Sequence, residues 1–180
     1  MLRTNLQEDG FSFIELMIAL AIAAIVLGMA APSLQSFVRS SEISATNNQF
    51  VYSLQSARSE AIKRSGPVGL CPSTTPLADE PTCGGGNYAN GWIVFVDSDG
   101  NGLRSATDEV ILQSEALSPA FTVTADAVFS NRIYFNGSGT STNPAGIPLS
   151  GNVRIDYRSG NAKRDVSVAA NGRITTKVVQ

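Results

Sequence analysis

Glu15 constrains this chain more than any other residue, because it heads a stretch with no further charge until Arg39. Leu16 to Val38 holds no Asp, Glu, Lys or Arg. As a helix it would extend about 35 Å, enough to cross a hydrocarbon layer of roughly 30 Å. Burying a carboxylate at the head of such a segment is costly unless it is paired. The positions three and four residues away hold Phe11, Ser12, Ile18 and Ala19, so no base on the same helix can be the partner. A newly exposed α-amino group can. The order of the pieces argues against an ordinary secretory signal, in which a basic start and a short apolar core precede a small-residue cleavage site. Here a polar stretch ending Gln7-Glu8-Asp9-Gly10 comes first, and the apolar part is long enough to remain as an anchor.

Gly10 followed by Phe11-Ser12-Phe13-Ile14-Glu15-Leu16 resembles the class III leader junction of type IV prepilins and type II secretion pseudopilins. The resemblance implies a prepilin peptidase that cuts between Gly10 and Phe11, and methylation of the new Phe11 amine. It also implies an assembly role for Glu15, neutralising the Phe11 amine of a neighbouring subunit. Pro32 stands where this family often has a helix-bending proline. A proline inside a helix removes one backbone hydrogen bond, and Gly28 just before it adds local freedom. Glu8 and Asp9 occupy positions that are usually basic in the family, which leaves Arg3 and the amino terminus as the leader's cations.

Beyond Pro32 the helical period continues. Ile43, Asn47, Phe50, Leu54, Ala57 and Ala61 recur at steps of three and four, with Val51 and Ile62 beside them, so one stripe should face a core. Ser65-Gly66-Pro67 terminates the run. After Pro67 the period becomes two, and β-rich runs appear between Gly, Pro, Asn and Ser clusters. They cover 68–71, 92–96, 110–114, 121–125, 132–135, 153–158, 166–170 and 173–178, and these read as strands. Asn171-Gly172 is a two-residue hairpin signal. The expected fold is α+β and pilin-like: a long N-terminal helix packed on antiparallel sheet. Its parts are a cleaved leader (1–10), a membrane and filament-core helix (11–38), an amphipathic continuation (39–65) and a β-rich periplasmic domain (66–180).

Composition removes several function classes. The chain has no histidine, which excludes Ser-His and Cys-His nucleophile pairs and the usual zinc ligand sets. No other nucleophile-base pair stands out, so an enzyme is not expected. Cys71 and Cys83 are the two cysteines. On an exported chain they read as a disulfide worth roughly 3 kcal/mol in the chain-entropy model, the alternative being two buried thiols. Charge is uneven. From Gly66 to Ser130 eight acids face one base, Arg104, whereas from Asn131 onward Arg132, Arg154, Arg158, Lys163, Arg164, Arg173 and Lys177 outnumber Asp156 and Asp165.

Further blocks resemble the GspH/FimT branch of the same family: Gln55-Ser56-Ala57-Arg58-Ser59-Glu60-Ala61, Val68-Gly69-Leu70-Cys71, Gly91-Trp92-Ile93-Val94-Phe95-Val96-Asp97 and Asn171-Gly172-Arg173-Ile174. The resemblance implies a minor pilin or pseudopilin. Such a subunit is held in the bacterial inner membrane by a single pass and then joins other pilins in a filament. Some members of the FimT group bind DNA through a Gly-Arg-x-Arg motif. Here Gly172-Arg173-Ile174 is followed by Thr175, so only Gly172 and Arg173 carry over, with Lys177 on the same strand face as a second DNA candidate. Asp97, Asp99, Asn101 and Asp108 fit the oxygen-ligand spacing of a calcium loop, with Asp in place of the final Glu. The same Asp-Gly and Asn-Gly steps also suit a plain acidic turn. No other cofactor is indicated. Trp92, in an apolar run, reads as a core anchor.

Overall fold

The computed structural model describes residues 11–157 and 162–179, and all side chains within them except those of residues 29–33. Gly10, Glu8, Asp9 and Arg158 therefore lie outside the described residues, as does the side chain of Pro32. The chain divides into two compact units, residues 1–38 and 39–180. One helix, α1 (Phe13–Arg64), contributes to both.

In the first unit, α1 starts where the Ser12 carbonyl accepts the Leu16 N–H at 3.1 Å. Glu15 lies in the first turn, where unpaired backbone N–H groups favour a carboxylate. The apolar side chains from Phe11 to Leu27 are exposed on every side of the helix, as a run without helical polarity must leave them. Among the described residues no helix is long and apolar enough to cross a membrane. The run read as an anchor over 11–38 includes residues 29–33, whose side chains lie outside those described.

In the second unit the stripe read from the sequence is the buried face of α1: Ile43, Asn47, Phe50, Leu54, Ala57 and Ala61. The helix ends in a Schellman arrangement. Gly66 N–H bonds the Ala61 carbonyl and Ser65 N–H bonds that of Ile62, each at 3.1 Å. The left-handed residue is Ser65 (φ 50°), not the glycine beside it. Lys63 and Arg64 occupy the last turn, where cations complement the helix dipole.

Among the described residues eight strands follow: β1 (Val68–Pro72), β2 (Trp92–Val96), β3 (Val110–Ser114), β4 (Phe121–Ala125), β5 (Ile133–Phe135), β6 (Gly151–Tyr157), β7 (Lys163–Val168) and β8 (Ile174–Val179). They form two antiparallel four-stranded sheets, ordered β3-β2-β1-β5 and β4-β6-β7-β8. The chain crosses to the second sheet with β4, returns to the first with β5 and ends in the second. One cluster unites the α1 stripe with Val68, Leu70, Trp92, Val94, Ile133 and Phe135 of the first sheet and Phe121, Val123, Val153, Ile155, Val166 and Val168 of the second. Each large side chain removed from water in this way is worth about 1.5–3 kcal/mol.

At its centre Phe50 meets Tyr88 and Trp92 edge-on, with ring centroids 5.4 and 5.2 Å away. Buried aromatics with polar tips need partners. Trp92 Nε1 donates to Ser53 Oγ at 2.9 Å, and Tyr88 OH donates to the Phe129 carbonyl at 2.8 Å. Tyr88 belongs to a short 3₁₀ turn, Tyr88–Asn90, that periodicity does not announce.

β7 begins three residues earlier than the pattern of apolar residues indicates. Lys163 and Asp165 pair with β6 opposite Asp156 and Arg154 on the sheet's polar face. At its other end Ala169 and Ala170 are drawn into the turn to β8. There the Ala169 N–H bonds the Arg173 carbonyl and the Gly172 N–H bonds the Ala169 carbonyl. The Asn171-Gly172 step thus closes a three-residue loop with Gly172 alone at positive φ (76°), instead of the two-residue turn that would need both residues there.

Candidate functional site

Three groups of residues singled out in the sequence fall in three separate places. The first is the start of α1, where Phe11 is 80% exposed and Glu15 projects from the first turn of an otherwise apolar surface. Among the described residues of this unit nothing covers that surface, so it is suited to lipid or to other helices.

The second is the loop between β2 and β3. Asp97, the residue that follows β2, is 1% exposed. Its Oδ2 accepts the Gly102 N–H at 2.7 Å and the Tyr134 hydroxyl. Asp99 accepts the backbone and side-chain N–H groups of Asn101, whose own Oδ1 accepts the Leu103 N–H at 2.6 Å. Asp108, nearly buried, takes the N–H groups of Ser98 and Ser105 and the Ser105 hydroxyl at 2.8–2.9 Å. Burial pushes the Asp108 carboxyl up, but these hydrogen bonds outweigh it and leave the group below the usual carboxylate range. Burial, reinforced by the Asp97 carboxylate, pushes the Tyr134 phenol well above its ordinary value. Among the described residues no three Asp, Glu, His or Cys side chains lie close enough together to hold a metal ion by themselves.

The third is the outer face of the second sheet. Arg173, Thr175 and Lys177 share a shallow groove of about 500 Å³ with Asp126, Asn152 and Ser167. An ion pair on this face spans β6 and β7. Arg154 grips Asp165 with two hydrogen bonds, 2.7 and 2.9 Å long, and holds its carboxyl below the usual range. Lys177 stands opposite that same Asp165. Arg173 lies at the edge of the groove, between it and a second hollow lined by Gln55, Arg58, Ser59 and Ile62. Sequence reasoning missed Arg58, whose contacts are with backbone carbonyls far along the chain and leave no spacing signal.

Cys71 and Cys83 are bonded to each other, with Cα atoms 5.6 Å apart. The bridge lies against Ile93 and Phe95 in a small core on the opposite face of the first sheet.

The family described as type II transport protein GspH matches residues 46–172, and the prokaryotic N-terminal methylation motif matches residues 6–31. No curated protein matches the chain by sequence. Among solved structures, the type IV minor pilin FimU of Pseudomonas aeruginosa (strain PAO1) is similar in fold. It shows a TM-score of 0.55 at 18% identity over 80% of this chain and 97% of that one. The minor pseudopilin EpsH from the type 2 secretion system of Vibrio cholerae gives a TM-score of 0.49 at 12% identity over 77% of this chain and 96% of that one, too distant to add to the argument. With a methylation motif at the start of α1 and a family match that spans most of the helix-and-two-sheet unit, the chain belongs to the family of type II transport protein GspH.

Proposed function

We propose that this chain is a structural subunit of a type IV pilus or type II secretion pseudopilus, assembled through α1. A prepilin peptidase cuts between Gly10 and Phe11 and the Phe11 amine is methylated. The mature protein stays in the bacterial inner membrane through residues 11–38, with residues 66–180 in the periplasm, until it enters the filament. Glu15 then pairs with the Phe11 amine of an adjacent subunit, and Pro32 sets the bend of the packed helix. The observation that supports this reading is that the methylation motif matches residues 6–31, a range that includes Phe11 and Glu15 at the start of an exposed apolar helix. A carboxylate there has no basic partner three or four residues away, and an intermolecular amine supplies one. Mass spectrometry of membrane-extracted protein tests it: a chain beginning at N-methylated Phe11 is expected, and an intact Met1 overturns it.

A second reading, a DNA-binding subunit, is favoured by the groove that brings Arg173 and Lys177 to one sheet face. Phosphate contacts from such cations weaken with salt. A gel-shift titration of wild type against Arg173→Ala tests it, and indifference to that change removes DNA binding from this strand.

A further inference from the structure

The loop between β2 and β3 is built around a carboxylate that its own hydrogen bonds do not satisfy. Asp97 is almost wholly buried, and its Oδ1 has no hydrogen-bond partner. Its other oxygen takes the Gly102 N–H from the middle of the loop and the Tyr134 hydroxyl from β5, so the carboxyl group is held at the base of the loop and not toward solvent. An unmatched, buried carboxylate oxygen is unfavourable by itself and is relieved by a cation.

The residues around it are oxygen donors in a set order. Counting Asp97 as the first position, Asp99 is third, Asn101 fifth, Leu103 seventh, Ser105 ninth and Asp108 twelfth. Gly102, sixth, has φ +75°. A twelve-residue calcium loop uses side-chain oxygens at the first, third, fifth and twelfth positions, a backbone carbonyl at the seventh and often a water at the ninth, with glycine at the sixth for its turn.

We propose that this loop binds one calcium ion, ligated by Asp97, Asp99, Asn101, the Leu103 carbonyl and Asp108. Because no three carboxylates converge by themselves, the uncharged oxygens complete the shell, and Asp99 exchanges its hydrogen bonds to Asn101 for the ion. Calcium suits such a mixed, adjustable set of oxygens, whereas magnesium demands a small and near-ideal octahedron. With no nitrogen or sulfur donor in the set, a transition metal is disfavoured. Asp in place of Glu at the twelfth position shortens the last reach, which places affinity in the weak range of extracellular sites, a Kd of roughly 10⁻⁴–10⁻³ M.

The test uses the full chain in detergent, stripped with EGTA and titrated with CaCl₂ or MgCl₂ by calorimetry, with Tm read in parallel. Saturable one-to-one calcium binding and a rise in Tm are expected, with no matching response to magnesium. Asp99 is exposed and hydrogen-bonds within the loop to Asn101, so Asp99→Asn keeps the fold and should weaken calcium binding about tenfold or more. Three results overturn the proposal: no heat or Tm change at about 10 mM calcium, an equal response to magnesium, or unchanged affinity in Asp99→Asn. None of them bears on filament assembly through α1.

Discussion

Arg58 Nε donates to the carbonyl of Gly139 at 2.9 Å, and Arg58 Nη2 reaches the Asn171 carbonyl at 3.2 Å, so one guanidinium ties α1 to two loops more than eighty residues further along the chain. The planar fork suits two carbonyls at once. Gly172 packs beneath it. A Cβ there would collide with the Gly139 carbonyl oxygen and lie 2.8 Å from Arg58 Nε, at a φ of 76° that an L side chain already disfavours. Gly172→Ala should therefore destabilise the domain by about 2–4 kcal/mol, and Arg58→Lys, which keeps the charge but loses the fork, by about 1 kcal/mol. Urea unfolding measures both, and equal losses for the two variants contradict this account.

Ser53 is the buried acceptor for Trp92 Nε1, and its own hydroxyl donates to the Gln49 carbonyl at 3.0 Å. Removing it leaves an indole N–H without a partner in an apolar interior. Ser53→Ala should cost about 1–3 kcal/mol, read from the urea midpoint at unchanged slope. A midpoint equal to that of the wild type would show that the indole finds another acceptor.

Much of this arrangement is legible in the residues, and the illegible remainder has physical causes. The α1 stripe from Ile43 to Ala61 shows because one face meets a core over several turns. β6 shows because it alternates toward the core, and β1, β2 and β5 show as short runs buried almost throughout. What no local pattern records is that β5 returns to pair with β1, since that choice is settled by long-range packing of Ile133 and Phe135. Asn171-Gly172 marks the turn but not its length, because Ala169 and Ala170 suit strand or loop equally. At the candidate sites, Asp97 is visible as a turn residue, while its burial under Tyr134 depends on a strand thirty-seven positions away. Ser53 and Arg58 look like ordinary polar helix residues until their distant partners are in place.

Ser65 carries the left-handed conformation at the end of α1 although a glycine follows it. A non-glycine residue pays about 1–2 kcal/mol for that conformation. Ser65→Gly should raise stability by up to about 1 kcal/mol after allowing for the greater freedom of glycine in the unfolded chain. Thermal unfolding measures the change, and a lowered Tm would mean that the Ser65 side chain has a stabilising role of its own.

Acid should weaken the domain through Asp108 and Asp165. The folded carboxyl of Asp108 is held down by Ser98 and Ser105 against the opposing effect of burial, and that of Asp165 by Arg154. Because both folded values lie below the unfolded one, near 4, the unfolded chain takes up protons first as pH falls. The stability they supply is complete above about pH 4–5 and disappears as pH drops through the folded values. A Tm series from neutral pH to about pH 3 should show this loss, with a shallower slope in Asp108→Asn. A flat wild-type series would contradict the sign.

Glu15→Ala separates folding from assembly. Glu15 belongs to the first compact unit, whereas every buried core residue among those described belongs to the second, so the substitution should leave the unfolding of the domain unchanged. Removing a carboxylate from an apolar helix does not make insertion in lipid harder, so membrane retention should not fall. If Glu15 pairs with a neighbour's Phe11 amine, incorporation into sheared filaments should nevertheless drop sharply, and Glu15→Asp, which keeps the charge on a shorter arm, should recover part of it. Immunoblots of filament and membrane fractions read both quantities. Normal incorporation of Glu15→Ala would mean that α1 packs into the polymer by apolar contact alone, and that the lone acid serves another purpose.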